Sequence, residues 1–171
     1  MSRDAQGRSV VDVTLADSIV EYSKYSGWPE LKESFMAGKV RAAYLLAPMV
    51  MDLVESGVNA KIVSLGHRSG AVIMVRFDSP AKTIKDLRGR RIAIPSRFAV
   101  DHLFVRRMLK EQGMTVRDVE LVEMAPPEMP AALYARQVEA YATGEPFGAG
   151  AEAAGDARIL YMTRDKRPNY V

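Results

Sequence analysis

Short apolar runs alternate with helix-forming segments along most of this chain, and glycines stand where several helices should end. Buried strands read as continuous apolar runs, whereas helices carry apolar residues three to four positions apart. This rhythm predicts an α/β fold. The apolar runs predict strands at about 10–15, 40–46, 60–65, 71–76, 91–94, 119–122, 138–142 and 158–162.

Helices are expected between these strands. Pro29 fits the first turn of a helix that carries Leu31 and Phe35 on one face and ends at Gly38. A single helical turn within residues 83–89 should lead into the strand at 91–94. Further helices are expected at 49–56, 99–112, 127–136 and 147–154.

Two segments share one pattern of proline, helix, valine and strand. Residues 29–48 and 127–146 both begin with Pro-Glu, and in both a valine and a second proline follow at the same distances. Either an internal duplication or the common rhythm of helix–strand units explains this. Duplication would place loops 46–48 and 143–146 opposite each other. We divide the chain into a partial first lobe, residues 1–87, and a second lobe, residues 88–171.

Composition excludes several kinds of site. The 171 residues carry a net charge of +3, with scattered basic residues and no cysteine. The basic stripe of a nucleic-acid-binding protein is therefore missing, as are disulfides and thiolate metal sites. Two histidines could not form a zinc centre without carboxylates. No glycine-rich phosphate loop or nucleophile–base pair occurs, so we expect no metal, no cofactor and no catalytic residue.

The sequence contains no run long enough for a membrane span. Residues 1–8 are polar and lack the apolar core of a signal peptide. As written, the sequence predicts a cytoplasmic location.

Five motifs carry a family resemblance. They are residues 35–40 (Phe-Met-Ala-Gly-Lys-Val), 46–49 (Leu-Ala-Pro-Met), 89–96 (Gly-Arg-Arg-Ile-Ala-Ile-Pro-Ser), 126–133 (Pro-Pro-Glu-Met-Pro-Ala-Ala-Leu) and 144–147 (Gly-Glu-Pro-Phe). In this order and spacing, residues 24–171 resemble the substrate-binding proteins of nitrate, sulfonate and bicarbonate ABC transporters. The resemblance implies a two-lobed, type II periplasmic-binding-protein fold. It also implies a small oxyanion or organic acid as ligand, a transporter permease as partner and a periplasmic or extracytoplasmic location.

The chain departs from that family at both ends. Family members begin with a signal peptide, and they continue past a segment like residues 168–171 to complete the first lobe. The resemblance therefore implies a truncated chain with an incomplete first lobe. Because unpaired strand edges seek partners, we expect a homodimer.

In this fold, ligands lie at loops after strands and at helix N-termini. Ser96 and Arg97 follow a strand and precede a helix, so they are expected to hold an anion. Alternatively, Ser96 caps the helix and Arg97 is solvated. His102 lies one turn into that helix. The resemblance to nitrate-binding members implies that it contacts the anion, and a packing role is the alternative.

Four further segments are candidates. The loop with His67, Arg68 and Ser69 is polar, cationic and flanked by glycines, which permit close approach to a ligand. An exposed glycine hairpin is its alternative. Ala47 lies in the first loop of the repeat, and Trp28 would stack on a ligand or pack in the core.

Glu145 lies in the second loop of the repeat and is the acidic residue expected beside the cations. It would pair with Arg97 or His67, contact an amine or metal ion, or favour a helix N-terminus.

Three functions stay open at this point. The first is a transporter-type protein that binds a small anion. The second is an enzyme on the same scaffold, such as a thiamine-pyrimidine synthase or a menaquinone-pathway dehydratase, since fold alone does not decide function. The cysteine-rich motif of the pyrimidine synthases is missing. The third is a fragment that keeps the fold and binds nothing.

Overall fold

The computed structural model describes residues 2–3, 9–10, 13–15, 18–64 and 70–166, with side chains from residue 21 onward. Two short antiparallel hairpins come first. Strand β1 (Ser2–Arg3) pairs with β2 (Ser9–Val10), and β3 (Val13–Leu15) pairs with β4 (Ser18–Val20). The strand expected at 10–15 corresponds to the end of β2 and to β3.

Two helices follow the hairpins. Helix α1 (Trp28–Met36) carries Pro29 in its first turn and is followed by Gly38 at φ +69°, where glycine avoids steric strain. Helix α2 (Ala47–Glu55) buries Met49 and Leu53. The expected helices at the start of the repeat and at 49–56 are confirmed.

The prediction of strands at 40–46 and 60–65 is wrong over the described residues. Residues 40–46 and 60–64 are irregular, and residue 65 lies outside the described ranges. Within the described residues, no backbone–backbone hydrogen bond involves residues 40–45 or 61–64. An apolar run becomes a strand when a neighbouring strand satisfies its backbone. The repeat is therefore matched in its helix and not in its strand.

The centre of the molecule is a five-stranded sheet. Its strands are β5 (Val72–Arg76), β6 (Arg91–Ile94), β7 (Glu120–Glu123), β8 (Ala140–Thr143) and β9 (Ala157–Met162), in the order β7-β6-β8-β5-β9. Strand β6 is parallel to both β7 and β8. Strand β5 is antiparallel to both β8 and β9. The α/β fold class is confirmed, and all five strands fall within two residues of their predicted positions.

Strand β5 requires a correction. The division at residue 87 assigned it to the first lobe, but it lies inside the sheet that was assigned to the second lobe. Its residues Val72–Val75 are fully buried, so both faces of the strand need cover. The sheet unit accordingly begins near residue 70. Its entry and exit are adjacent, since Thr163 N and Oγ1 both donate to Ala71 O, at 2.9 and 3.0 Å.

Helices cover both faces of the sheet. They are α3 (Val100–Glu111), α4 (Met129–Tyr134) and α5 (Phe147–Ala153), with 3₁₀ turns at Ile84–Leu87, Val116–Asp118 and Pro126–Glu128. The short helix α6 (Thr163–Lys166) follows β9 directly. Because side chains alternate along a strand, Ile73 and Val75 face a core with α3, whereas Val72 and Met74 face a core with α4 and α5. The turn and the three helices predicted between 83 and 154 are confirmed.

Candidate ligand-binding site

Three loops lie at one edge of the sheet because β7, β6 and β8 are neighbours and run parallel. These loops are residues 95–99 after β6, 124–128 after β7 and 144–146 after β8. The carboxyl edge of parallel strands is where α/β proteins place their ligands. The predicted segments 95–97 and 143–146 therefore both lie at this edge of the sheet.

A cavity of about 260 Å³ opens beside the loops after β6 and β7. Its opposite wall is the chain that leads into α1. It is lined by Ser26, Gly27, Pro29, Glu30, Pro95, Glu123, Met124 and Ala125. Pockets for drug-sized ligands measure roughly 300–1,000 Å³, so this cavity is smaller than those pockets.

Arg97 lies next to this cavity through its contact with a lining residue. Its Nε donates to Glu123 Oε1 at 3.1 Å, and the two side chains are 58% and 43% exposed. Glu145 was one of the partners considered for Arg97, and within the described residues the ion pair of Arg97 is instead with Glu123 at the end of β7. The pair is exposed, so its attraction is weak and a ligand can compete for the guanidinium.

Ser96 is buried in the turn before α3. Its Oγ accepts from Phe98 N at 3.2 Å, so the hydroxyl stabilises the turn. The N-cap of α3 is Ala99, which provides no side-chain cap. The suggestion that Ser96 caps this helix is thus replaced by a role in the turn that carries Arg97.

His102 fixes the same turn from within α3. It is 8% exposed, and its Nδ1 lies 2.6 Å from Arg97 O. A carbonyl oxygen only accepts, so Nδ1 carries the proton. Nε2 is buried and has no hydrogen-bond partner among the described residues. His102 therefore positions the backbone of Arg97.

Asp101 precedes this histidine and is also buried, with 6% exposure. Desolvation raises the pKa of its carboxyl to about 6, and a hydrogen bond to its own backbone N–H opposes the shift. A carboxyl of this kind loses its proton close to neutral pH. It adds negative charge at the start of α3, where an anion would otherwise find free N–H groups.

Trp28 and Ala47 lie where the first two helices meet α3. Trp28 packs against a small apolar cluster in which Leu46, Met49 and Ala99 are buried. Ala47 is the first residue of α2, beside Leu46. The packing interpretation of Trp28 agrees with this contact. Neither residue is among those that line the cavity.

Lys32 ties these elements together. Its Nζ bonds Asp52 Oδ2 at 2.5 Å on α2, and it lies 4.9 Å from the centre of the Phe98 ring in the loop after β6. A cation above an aromatic face is attracted by the ring quadrupole. Lys32 therefore links α1 to both α2 and the sheet loop that bears Arg97.

Glu145 serves its own helix. Its Oε2 accepts from Ala149 N at 2.8 Å in the first turn of α5, where a carboxylate is favoured. Tyr141 lies below it, fully buried, and donates from its hydroxyl to Phe147 O at 3.0 Å. Burial, and then the charge of Glu145, raise the pKa of Tyr141 to about 12. The helix-terminus interpretation of Glu145 fits these contacts.

Three of the expected site residues, His67, Arg68 and Ser69, lie outside the described residues. Three residues that the sequence did not single out contribute to the region, namely Glu30, Lys32 and Glu123. Glu30 was detectable in principle, because its Oε2 accepts from Ser26 N and Oγ at 3.3 and 3.0 Å, a local contact at the helix start. Glu123 is 26 positions from Arg97 in the sequence, and no local pattern predicts that these two side chains pair.

The described residues contain no group of three or more histidine, cysteine, aspartate or glutamate side chains that could hold a metal ion. Among those same residues, no helix is long and apolar enough to cross a membrane.

A family model described as the NMT1-like family matches residues 14–168. In sequence, the chain is 30% identical over 163 residues to the nitrate import ATP-binding protein NrtC of Synechococcus elongatus, covering 85% of this chain and 25% of that one. It is 22% identical to a putative aliphatic sulfonates-binding protein of Escherichia coli, covering 91% of this chain and 49% of that one.

In structure, the chain resembles the ligand-binding component of an ABC-type import system from Staphylococcus aureus, solved with zinc bound. The TM-score is 0.78 at 29% identity, with 87% of this chain and 52% of that chain covered. The chain thus spans about a quarter to a half of the length of these relatives. The resemblance found in the sequence motifs is confirmed.

Proposed function

The chain belongs to the NMT1-like family, and we propose that it forms part of a transporter-type solute-binding protein for a small oxyanion or organic acid. Nitrate, bicarbonate and short sulfonates are the classes to test. The names of two relatives support this proposal, since one is a nitrate importer component and the other a sulfonate-binding protein.

The observation that carries the proposal is the cavity at the carboxyl edge of the sheet, with Arg97 held beside it. A guanidinium has five N–H donors in one plane. Arg97 directs Nε–H at Glu123, and its two terminal nitrogens carry four further donors. An acid group in the cavity would bind these terminal donors as a charge-assisted pair. His102 and Ser96 keep the loop of Arg97 in place for this contact.

The remaining parts of the proposal follow from the family. The ligand would lie between two α/β lobes, of which residues 70–166 provide most of one. The loop with His67, Arg68 and Ser69 would contribute from the other. The protein would work outside the cytoplasmic membrane with the permease of an ABC transporter. We also propose that the chain by itself forms a homodimer, since residues 40–46 and 60–64 have apolar sequences and lack strand partners within the described structure.

Titration calorimetry with nitrate, bicarbonate and ethanesulfonate tests the binding function. Arg97→Ala should weaken binding of the active anion roughly ten- to a hundredfold, because a charged hydrogen bond contributes about 1.5–3 kcal/mol. Arg107→Ala is the matched control. Arg107 also forms an exposed ion pair, to Glu111 at 3.0 Å on the outer side of α3, and its loss should leave affinity unchanged.

Absence of binding by the wild-type chain to every tested acid at millimolar concentration would reject the proposal in favour of a non-binding member of the family. Light scattering tests the dimer separately. A mass of one chain, 18.9 kDa, at all concentrations would reject it.

A further inference from the structure

Two segments of the sheet unit contribute eight exposed basic side chains, the first segment at residues 82–90 and the second at residues 106–118. They are Lys82, Lys85, Arg88, Arg90, Arg106, Arg107, Lys110 and Arg117. The two segments together hold eight basic and three acidic residues, a formal charge of +5, whereas the whole chain carries +3. The rest of the chain is therefore net negative, and the positive charge is concentrated in these segments.

The fold places the two segments side by side. The first segment leads into β6 and the second into β7, its parallel neighbour, so both end at the amino edge of the sheet. Gly89 N donates to Asp118 O at 2.7 Å, and Arg88 forms an ion pair with Asp118. Ile84 and Leu109, one from each segment, belong to a single buried cluster. We call the combined surface of the eight basic side chains the basic face.

The acidic residues of the two segments are engaged in local contacts. Asp86 Oδ2 accepts from Thr83 N at 2.9 Å, and Asp118 Oδ2 accepts from Thr115 N at 2.8 Å, each in the capping box of a 3₁₀ turn. Glu111 pairs with one residue of the basic face, Arg107. Within the described structure, the side chains that form no ion pair are Lys82, Lys85, Arg90, Arg106, Lys110 and Arg117. Six exposed cations are therefore available to a partner.

The basic face lacks the apolar anchors of a protein–protein interface. Of the large apolar side chains that are exposed in the described structure, none lies in the two segments, and Leu103 lies one turn before Arg106. Protein interfaces depend on a few buried aromatic or apolar residues, and single-stranded nucleic acids stack on aromatic side chains. An anionic lipid surface requires neither, because its potential attracts any lysine or arginine close to it.

We propose that the basic face binds a membrane surface that carries anionic phospholipids. The contact is electrostatic and uses cations from α3 and from the two 3₁₀ turns beside it. The cavity lies at the carboxyl edge of the sheet, so it stays accessible while the amino edge contacts the membrane. This inference goes beyond the binding of a solute, and it does not depend on which ligand the cavity holds.

Cosedimentation of the intact chain with lipid vesicles tests the proposal. One set of vesicles contains phosphatidylglycerol and phosphatidylcholine in equal parts, and the other contains phosphatidylcholine alone. At about 0.1 M NaCl we expect binding to the anionic vesicles only. At about 1 M NaCl, where the Debye length falls to about 3 Å, this binding should disappear. Equal binding to both vesicles, or binding that persists at high salt, would overturn the proposal.

Two triple variants show whether the basic face or the net charge is responsible. Each replaces two exposed lysines and one exposed arginine by glutamine, so each lowers the charge of the chain from +3 to zero. The basic-face variant is Lys85→Gln, Arg106→Gln and Lys110→Gln, and the control is Lys39→Gln, Arg41→Gln and Lys61→Gln.

The basic-face variant should bind anionic vesicles about a hundredfold more weakly than wild type, because each lysine or arginine near the surface contributes about fivefold. The control should lose less than about fivefold. Thermal unfolding checks that both variants are folded. Equal losses in the two variants would contradict the proposal, since net charge alone would then explain the binding.

Competitors distinguish the lipid surface from other phosphates. Inorganic phosphate or a mixed-sequence DNA duplex, at the phosphate concentration of the lipid and at matched ionic strength, should leave most of the chain on the vesicles. Displacement by phosphate would indicate a site for a single anion, and displacement by DNA would indicate a nucleic-acid surface. Either result overturns the proposal. Arg97→Ala should keep full vesicle binding, so a failure of the solute-binding function is distinguishable from a failure of this inference.

Discussion

Residues 21–64 and residues 70–166 differ in how much of their apolar surface they bury. In the first region, helix α1 has no buried residue and α2 has two, Met49 and Leu53. Of the large apolar side chains that are exposed in the described structure, six lie in this shorter region: Met36, Tyr44, Met51, Val54, Ile62 and Val63. The longer region exposes four, Phe77, Phe98, Leu103 and Tyr134.

The difference comes from the sheet. A helix needs a second layer on which to bury its apolar side, and the five strands give α3, α4 and α5 such a layer on both faces. Residues 21–64 contain no strand, so α1 and α2 have no sheet of their own to pack on. They pack against each other and against the start of α3. Apolar composition is therefore not sufficient for a core, and a partner surface decides.

The largest contrast between the regions should appear on truncating one apolar side chain in each. Ile73 is fully buried in β5, whereas Met51 is 66% exposed on α2. Ile73→Ala should lower the free energy of unfolding by about 2–5 kcal/mol, and Met51→Ala should change it by less than about 0.5 kcal/mol. Urea unfolding measures both. Similar losses for the two variants would show that the first region is covered in solution, as a dimer would cover it.

The buried carboxyl of Asp101 should make the stability of the sheet region depend on pH. Its folded pKa, about 6, lies above the ordinary value, so wild-type stability should fall as pH rises from about 4 to 6. Asp101→Asn removes this dependence. The variant should gain on wild type across that window, by up to about 3 kcal/mol at pH 7. Unfolding at pH 4 and pH 7 measures the gain. The same difference at both values would contradict a raised pKa.

Two glycines in α5 offer a matched pair within the tighter region. A Cβ on Gly148 would meet Val72 Cγ2 at 2.7 Å, whereas a Cβ on Gly150 would find nothing within 4 Å. Gly148→Ala should therefore cost about 1–3 kcal/mol, and Gly150→Ala should stabilise by up to about 1 kcal/mol through helix propensity. Thermal unfolding compares them. A Gly148→Ala protein as stable as wild type would mean that α5 can move away from β5.

The smallest effect should come from the contacts of Lys32, which link the two regions. Lys32 and Asp52 are partly buried, and Lys32 also lies over Phe98. A double-mutant cycle of Lys32→Met with Asp52→Asn should give a coupling energy of about 0.5–1 kcal/mol. A second cycle of Lys32→Met with Phe98→Leu should give a smaller value. Zero coupling in both would mean that α1 is held by apolar contacts alone.

The elements that the sequence predicted well are those with local signals. Strands β5 to β9 are apolar runs bounded by turns, and α3 is an amphipathic segment that is followed by Gly113 at φ +68°. The expected strands at 40–46 and 60–65 carried the same apolar signal and failed over the described residues. Their failure is informative because a strand depends on its neighbour, and the composition of a segment does not reveal whether a neighbour exists.

The features of the candidate site also divide into those that the sequence predicts and those that depend on the tertiary structure. The sequence alone determined that residues 95–97 and 143–146 follow strands, and parallel strands bring such loops to one edge. Only the tertiary structure decided that Arg97 pairs with Glu123 and not with Glu145, that β5 joins the sheet of residues 88–162, and that Glu30 faces the loops after β6 and β7. Local periodicity fixes helices and strands, whereas ion pairs and cavity walls join residues far apart in the chain. Their distances depend on how the layers pack.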